Sequence, residues 1–201
     1  MKTQSKQKVL PRKFYAENTL KVAQDIVGCF LVRKYRGKIS RATIMETEAY
    51  VGEDDLACHA YRGRTPRTVV MYGEPGHAYI YMIYGMYYCL NIVTEPRDFP
   101  AAVLIRGVEL NPSPTLPLKK GESSILPFCK RGTKGDLNGP GKLCKFLKID
   151  KRLNKLDITK GEKLWIEKRD PKIKLPKIKK SKRLGIDYAK HCREYLWRFS
   201  I

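Results

Sequence analysis

Two carboxylates and a tyrosine alternate along one largely apolar segment of the sequence. They are Glu46, Glu48 and Tyr50, in a segment over residues 39–50 that reads as a β-strand. Successive side chains of a strand point to opposite faces, so we expect these three to share one face with Ile44. Two carboxylates on a face that is merely core are costly because each must be desolvated. The spacing therefore points to a site.

An arginine emerges from a second apolar segment, Val103-Leu-Ile-Arg106. A carboxylate, an arginine and an aromatic pocket together suit hydrolysis at a sugar carbon. The carboxylate removes a proton from water, and the arginine helps to hold that water and the carboxylate. The negative charge of the carboxylate stabilises an oxocarbenium-like transition state. One of the two glutamates with Arg106 is thus a candidate for this chemistry.

Five of the twelve tyrosines fall between positions 79 and 88. The period-two pattern predicts a β-hairpin over residues 79–93 whose tip is Tyr84-Gly-Met86. One aromatic ring exposed at a tight turn resembles the wedges that minor-groove proteins insert between base steps. For the other tyrosines of the segment, Tyr79, Tyr87 and Tyr88, we expect packing in the core or against neighbouring strands.

The chain carries 41 Lys and Arg against 20 Asp and Glu, a formal charge of +21. Such a charge favours an anionic partner. Nucleic acid is favoured over a membrane surface, because no amphipathic helix carries the charges. Cations bind phosphates and aromatic rings stack on bases, so the composition suggests a protein that handles nucleic acid one base at a time. We expect the basic run over residues 168–183 to be a solvated surface that adds non-specific DNA affinity.

The length of 201 residues fits one domain, and neither a repeat nor a linker divides it. The expected fold is α+β: a single compact domain with a curved, antiparallel-rich β-sheet, flanking helices and a protruding β-hairpin. Helices are predicted over 18–27, with Asn18 as cap, and from 139. Residues 51–76 read as a long functional loop and 111–138 as a surface excursion. Residues 1–9 read as a disordered basic N-terminus.

The six cysteines form no C-x-x-C pair, and the three histidines give no zinc spacing. We therefore expect reduced thiols and no metal site. Cys58, which precedes His59, is the cysteine that we place nearest to a site.

Several long ordered motifs resemble one known family. They are Met45-Glu-Thr-Glu-Ala-Tyr-Val-Gly-Glu-Asp-Asp-Leu-Ala-Cys-His-Ala-Tyr-Arg-Gly-Arg-Thr-Pro-Arg67, Pro75-Gly-His-Ala-Tyr-Ile-Tyr-Met-Ile-Tyr-Gly-Met-Tyr-Tyr-Cys-Leu-Asn91 and Ala102-Val-Leu-Ile-Arg106. All three resemble the alkyladenine (3-methyladenine, methylpurine) DNA glycosylases. The resemblance runs from Leu10 to about Ile186 and is weaker in the C-terminal third. Thr68 stands where the family commonly has Asn, and Gly107 where Ala is usual.

This resemblance implies a monofunctional DNA N-glycosylase of base-excision repair, which needs no cofactor and no metal. It flips a damaged purine out of duplex DNA and hydrolyses the N-glycosidic bond, leaving an abasic site. By resemblance, Glu48 is the general base and Arg106 positions the attacking water. The remaining site residues carried over by resemblance are Tyr50, His59 and Tyr81 as walls of the base pocket, Asn91 as the residue that crowds the purine 2-position, and Tyr84 as the side chain that intercalates into the DNA.

The expected partner is double-stranded DNA that contains damaged purines, bound by a monomer without membrane association. We expect the protein in the cytoplasm with the nucleoid if it is bacterial and in the nucleus if it is eukaryotic. The compact chain favours a bacterial source.

Two other functions compete with this one. The first is a non-catalytic DNA-binding or DNA-bending protein, which leaves Glu48, Arg106 and Asn91 unexplained. The second is a helix-hairpin-helix glycosylase, because Gly139-Pro-Gly-Lys-Leu143 faintly resembles its phosphate-binding turn. The sequence leaves open the preferred lesion, among 3-methyladenine, hypoxanthine and ethenoadenine, and the identity of any general acid.

Overall fold

The structure is a computed structural model that describes residues 9–110, 136–169 and 175–201. Strands outnumber helices in these ranges, and the predicted α+β fold class is confirmed. The elements are α1 Arg12–Tyr15, α2 Thr19–Asp25, β1 Phe30–Tyr35, β2 Lys38–Val51, β3 Ala78–Ile83, β4 Tyr87–Val93, β5 Ala101–Leu110, β6 Asp136–Asn138, α3 Pro140–Phe146, β7 Leu164–Glu167, β8 Lys179–Ser181 and β9 Arg198–Ser200, with 3₁₀ helices at His59–Arg62, Val69–Tyr72, Lys151–Leu153, Ile158–Lys160 and Lys190–Glu194.

The strands of the described ranges form one antiparallel sheet with the central order β3-β4-β5-β2-β1-β7. The longest pair in the sheet is β2 with β5. The C-terminal strand β9 pairs with β2 from Glu46 to Glu48, and β8 pairs with β9. The last residues of the chain therefore lie directly beside the two glutamates.

The main hydrophobic core lies between the sheet and the helices α2 and α3. Helix α2 begins at the predicted cap, since the Asn18 side chain accepts hydrogen bonds from the amides of Leu20 and Lys21. On the face of β2 that meets this helix, the Thr47 hydroxyl donates to the Ala23 carbonyl at 2.7 Å. The opposite face of β2 is left for a site.

An irregularity in the β2–β5 pair sets which side chains reach that opposite face. The register skips Met45 on β2 and Arg106 on β5, so that Ile44 pairs with Val108 and Thr47 with Ile105. Because Met45 is an extra residue in β2, the Ile44 side chain points into the main core. The prediction that Ile44 shares a face with the glutamates is therefore wrong. Bulges of this kind redirect side chains and are enriched beside active sites.

The hairpin of β3 and β4 has the predicted three-residue tip: Ile83 pairs with Tyr87, and Tyr84, Gly85 and Met86 lie between the strands. Tyr84 and Gly85 have φ values of 51° and 67°, and the Met86 amide donates to the Ile83 carbonyl at 3.2 Å. Positive φ at both central positions defines a type I′ turn, whose twist suits a hairpin. Tyr84 at this apex is 85% exposed.

Three predictions concern segments that lie partly outside the described residues. The prediction of a disordered N-terminus covers residues 1–9, of which 1–8 lie outside the described residues and Val9 pairs with Glu167. The surface excursion falls on 111–135, while its last three residues form β6 against β5. In the basic run, of which 170–174 are not described, Arg183 is 4% exposed. The expectation of a solvated surface is wrong for Arg183.

The helix-hairpin-helix alternative fails on the surroundings of the Gly139 turn. That motif needs a helix immediately before the turn, whereas the strand β6 precedes Gly139 and α3 follows it. The Gly139 amide donates to the Arg106 carbonyl at 3.1 Å, so the turn belongs to the sheet.

The described cysteines are buried and unpaired by disulfides, as the prediction of reduced thiols requires; Cys129 lies outside these ranges. Among the residues that the structure describes, no cluster of His, Cys, Asp and Glu could hold a metal ion. None of the helices in those ranges is long and apolar enough to cross a membrane.

Candidate active site

Glu48 lies near the C-terminal end of β2 with its side chain fully buried. Two hydrogen bonds fix the carboxylate. The Leu184 amide donates to Oε1 at 2.9 Å, and the Tyr50 hydroxyl donates to Oε2 at 2.8 Å. Because a carboxylate can accept about four hydrogen bonds, each oxygen keeps a lone pair that can bind a water molecule.

Arg106 lies beside both glutamates of β2. Its Nε is 3.3 Å from Glu46 Oε1 and 3.6 Å from Glu48 Oε1. Glu46 also forms an ion pair with Arg198 of β9 at 3.1 Å, and Arg198 Nε donates to the Ser181 hydroxyl at 2.9 Å. Two arginines therefore balance the two carboxylates, and Glu46 holds Arg106 next to Glu48.

The surroundings of Glu48 act on its pKa in both directions. Burial raises the pKa of this carboxyl group above its ordinary value, and the negative charge of Glu46 adds to the rise. The charge of Arg106 and the bonds from Leu184 and Tyr50 oppose it. A buried carboxylate with a raised pKa beside an arginine is poised to accept a proton, which is what a general base requires.

An aromatic cluster lies next to these charges, where β3 meets the loop after β2. The His59 and Tyr81 rings are 4.5 Å apart between centroids in an edge-to-face arrangement. Tyr79 Oη is 2.9 Å from His59 Nδ1. Tyr50 packs partly buried against the same cluster. Burial, aided by the charge of Arg67, lowers the pKa of His59 to about 4, so its ring is neutral at pH 7.

Asn91 extends from β4 toward this cluster and is almost fully buried. Its side-chain amide donates to the Tyr79 carbonyl at 3.2 Å across the hairpin. The structure thus brings Glu48, Arg106, Tyr50, His59 and Tyr81 together with Asn91. Tyr84 lies apart from them, at the exposed end of the same hairpin.

The tyrosines assigned to packing differ in their positions. Tyr79 is buried as expected, but its hydroxyl contacts His59, so it supports the pocket as well as the core. Tyr88 is partly buried against the main core. Tyr87 is 39% exposed, so it does not pack in the core, and its ring lies against Gly141 of α3.

Sequence reasoning missed one buried ion pair that joins the site to the C-terminal segment. Arg183 donates to both carboxylate oxygens of Asp55 at 2.6 and 2.8 Å, and also to the Ala49 and Cys192 carbonyls. Its guanidinium lies 4.9 Å from the Tyr50 ring centroid. The pair anchors the neighbouring Leu184 amide on Glu48. The charges of Asp55 and Arg183 were visible in the sequence, but their pairing was not.

Comparisons with known proteins show which family the chain resembles. The methylpurine-DNA glycosylase family matches residues 13–201. A protein of Methanocella arvoryzae is 46% identical over 193 residues, covering 95% of this chain and 91% of its own. Proteins of Clostridium perfringens strain SM101 (42% over 198 residues, 96% and 95% of the two chains) and Sodalis glossinidius (44% over 192 residues, 95% of each) are similar. The names of all three assign them to the 3-methyladenine DNA glycosylases.

The comparisons define a DNA N-glycosylase, a monofunctional hydrolase of N-glycosyl bonds. The chain belongs to the methylpurine-DNA glycosylase family. The resemblance predicted from the sequence is confirmed, and with it the class of enzyme, a DNA-repair glycosylase for alkylated purines.

Proposed function

We propose that this enzyme turns a damaged purine nucleotide out of duplex DNA and hydrolyses its N-glycosidic bond with a water molecule activated by Glu48. The observation that carries the proposal is the buried Glu48 carboxylate, held by two hydrogen bonds next to Arg106 and an aromatic cluster. A buried ionisable group between a cation and a pocket is costly, which favours a functional role.

In the proposed reaction, the water oxygen bonds to C1′ of the sugar while the bond from C1′ to the purine nitrogen breaks. Glu48 accepts the proton that the water loses, and its negative charge stabilises the oxocarbenium-like transition state. The electron pair of the broken bond leaves with the base. A base methylated at N3 or N7 is cationic and leaves neutral, whereas hypoxanthine and ethenoadenine must gain a proton on leaving.

The flipped base is proposed to lie between Tyr50 and the pair His59–Tyr81, since rings stack on the face of any purine. Asn91, held by the Tyr79 carbonyl, would crowd the 2-position and so disfavour normal guanine. Arg106 would hold the attacking water with Glu48. Tyr84 would fill the space that the base leaves in the duplex.

The partner is duplex DNA, and the formal charge of +21 supports phosphate binding along it. The relatives come from bacteria and an archaeon, which supports a location at the chromosome of a cell without a nucleus. The monomeric state stays a prediction.

The test is base release from three labelled duplexes that each carry one hypoxanthine, ethenoadenine or 7-methylguanine. We expect the wild-type protein to release the free base and to leave an intact strand that alkali then cleaves. Direct strand cleavage without alkali would contradict the proposed hydrolysis. Tight binding without release of any base would support a DNA-binding protein instead.

A further inference from the structure

The guanidinium of Arg67 lies against two rings of the proposed base pocket. Its Nη2 is 3.4 Å from His59 Nε2, and its Cζ is 5.1 Å from the centroid of the Tyr81 ring. Neither contact neutralises its charge, because His59 is uncharged and Tyr81 supplies only the face of a ring. The side chain is otherwise exposed at the mouth of the pocket.

A tight turn fixes the backbone that carries Arg67. The Thr68 hydroxyl accepts from the Thr65 amide at 2.8 Å and donates to the Gly63 carbonyl at 3.0 Å. The Thr65 hydroxyl in turn accepts from the Thr68 amide at 3.2 Å. Thr68, a departure from the usual family residue, thus closes the turn and holds Arg67 over the pocket.

The contact also fixes the proton of His59. An arginine can only donate, so Nε2 of the neutral ring accepts, and its proton is on Nδ1, which faces the Tyr79 hydroxyl. The pocket therefore has opposite charges at its two ends. Glu48 carries a negative charge toward the sugar, and Arg67 carries a positive charge beside the rings that would enclose the base. Arg183, behind Tyr50, is balanced by Asp55.

We propose that Arg67 sets the substrate preference by charge, so that it disfavours cationic purines relative to neutral ones of similar shape. The inference rests on the function proposed above. A cationic base methylated at N3 or N7 meets the Arg67 charge on entering the pocket, whereas hypoxanthine does not. Between two unit charges several ångströms apart, at an effective dielectric constant between those of protein and water, this repulsion changes selectivity about threefold to tenfold.

The test compares single-turnover excision of 7-methylguanine, a cation, and of hypoxanthine, a neutral base, from otherwise identical duplexes. The quantity is the ratio of the two second-order rate constants. We expect Arg67→Gln to raise the ratio of 7-methylguanine to hypoxanthine about threefold to tenfold. Arg67→Lys should keep the wild-type ratio because it keeps the charge.

The matched control is Arg62→Gln, which removes another exposed arginine that lines the same cavity of about 390 Å³ beside His59. This change should leave the ratio unaltered. An equal loss for both bases in Arg67→Gln would overturn the proposal and assign Arg67 to a DNA phosphate. The same ratio in Arg67→Lys as in Arg67→Gln would overturn it too, since charge would not be the cause. If the wild type releases neither base, the proposed function itself fails.

Discussion

The Tyr50 hydroxyl donates a hydrogen bond to Glu48 Oε2 at 2.8 Å, which couples the proposed stacking ring to the proposed general base. The two residues are neighbours on one face of β2, since strand side chains two positions apart share a face. A base that stacks on Tyr50 is therefore placed at a fixed distance from the carboxylate. In the proposed mechanism, this hydrogen bond links the ring that recognises the base to the carboxylate that activates the water.

Tyr50→Phe separates these two roles, because it keeps the ring and removes the hydroxyl. Loss of a hydrogen bond to a charged group is worth about 1.5–3 kcal/mol, so we expect excision to slow about tenfold to a hundredfold. Lesion-duplex affinity should stay within a few-fold of wild type. Single-turnover rates and binding titrations measure the two effects. Equal losses in rate and affinity would contradict the separation.

If Glu48 is the general base, as proposed, the pH dependence of excision reports its ionisation. A general base must be deprotonated, so the rate falls as the pH drops through its pKa. Burial raises that pKa, which places the acidic limb above the ordinary glutamate value of 4.5. Glu46→Gln removes a negative neighbour that raises the pKa, so we expect the limb to move to lower pH. Arg106→Gln removes a cation that lowers it, so the limb should move to higher pH.

Rates for Glu46→Gln and Arg106→Gln are normalised to each variant's plateau, so that a general loss of activity does not count as a shift. Identical limbs in both variants and the wild type would exclude Glu48 as the titrating group. A shift of the acidic limb in the same direction in both variants would also contradict the assignment, because Glu46 and Arg106 carry opposite charges.

The features that the sequence predicted depend on residues close together in the chain. The Asn18 cap, the hairpin and the face shared by Glu46, Glu48 and Tyr50 follow from local periodicity and turn chemistry. The family motifs, in turn, brought His59 and Asn91 into the site.

Longer-range features could not be predicted in this way. The register of β2 with β5 skips Met45 and Arg106. Where such a bulge lies depends on how the two strands pair, and the periodicity of one strand does not show it. Asp55 and Arg183 are 128 positions apart, so only the folded sheet brings them together. The hydrogen bond from the Leu184 backbone amide to Glu48 has no sequence signal, because every residue except proline carries a backbone N–H group.

Tyr84 occupies a left-handed conformation that suits Asn or Gly better than an aromatic residue. Tyr84→Asn should therefore raise the free energy of unfolding by up to about 1 kcal/mol while it weakens binding to lesion duplex. Tyr84→Phe should be nearly silent in both. Denaturant unfolding and binding titrations give the two quantities. A stabilised Asn variant that binds normally would remove Tyr84 from base flipping.

Tyr84→Ser should weaken both binding to lesion duplex and excision, and the loss should depend on whether the lesion is paired. The Tyr84 ring offsets part of the stacking and pairing energy lost when the base is extruded, so the loss should be smaller when the lesion is already mismatched. An equal defect on paired and mismatched lesions would place the fault in the pocket. Damage by Tyr84→Phe as large as by Tyr84→Ser would point to the hydroxyl.

The Asp55–Arg183 pair is fully buried, so removing one partner leaves an uncompensated charge. We expect Asp55→Asn to lower the free energy of unfolding by about 3–5 kcal/mol. The matched control is Asp98→Asn, which breaks the exposed pair with Arg64 and should cost little. Urea unfolding measures both. Equal effects of the two changes would show that burial of the Asp55–Arg183 pair does not matter.

The proposed role of Glu48 in activating the attacking water is tested most directly by Glu48→Gln. The change keeps the shape of the side chain and removes its ability to take a proton. We expect single-turnover release of hypoxanthine to fall by about 10²–10⁴ or more, with lesion-duplex affinity within a few-fold of wild type. Near-normal release by the Gln variant, at wild-type affinity, would contradict the claim.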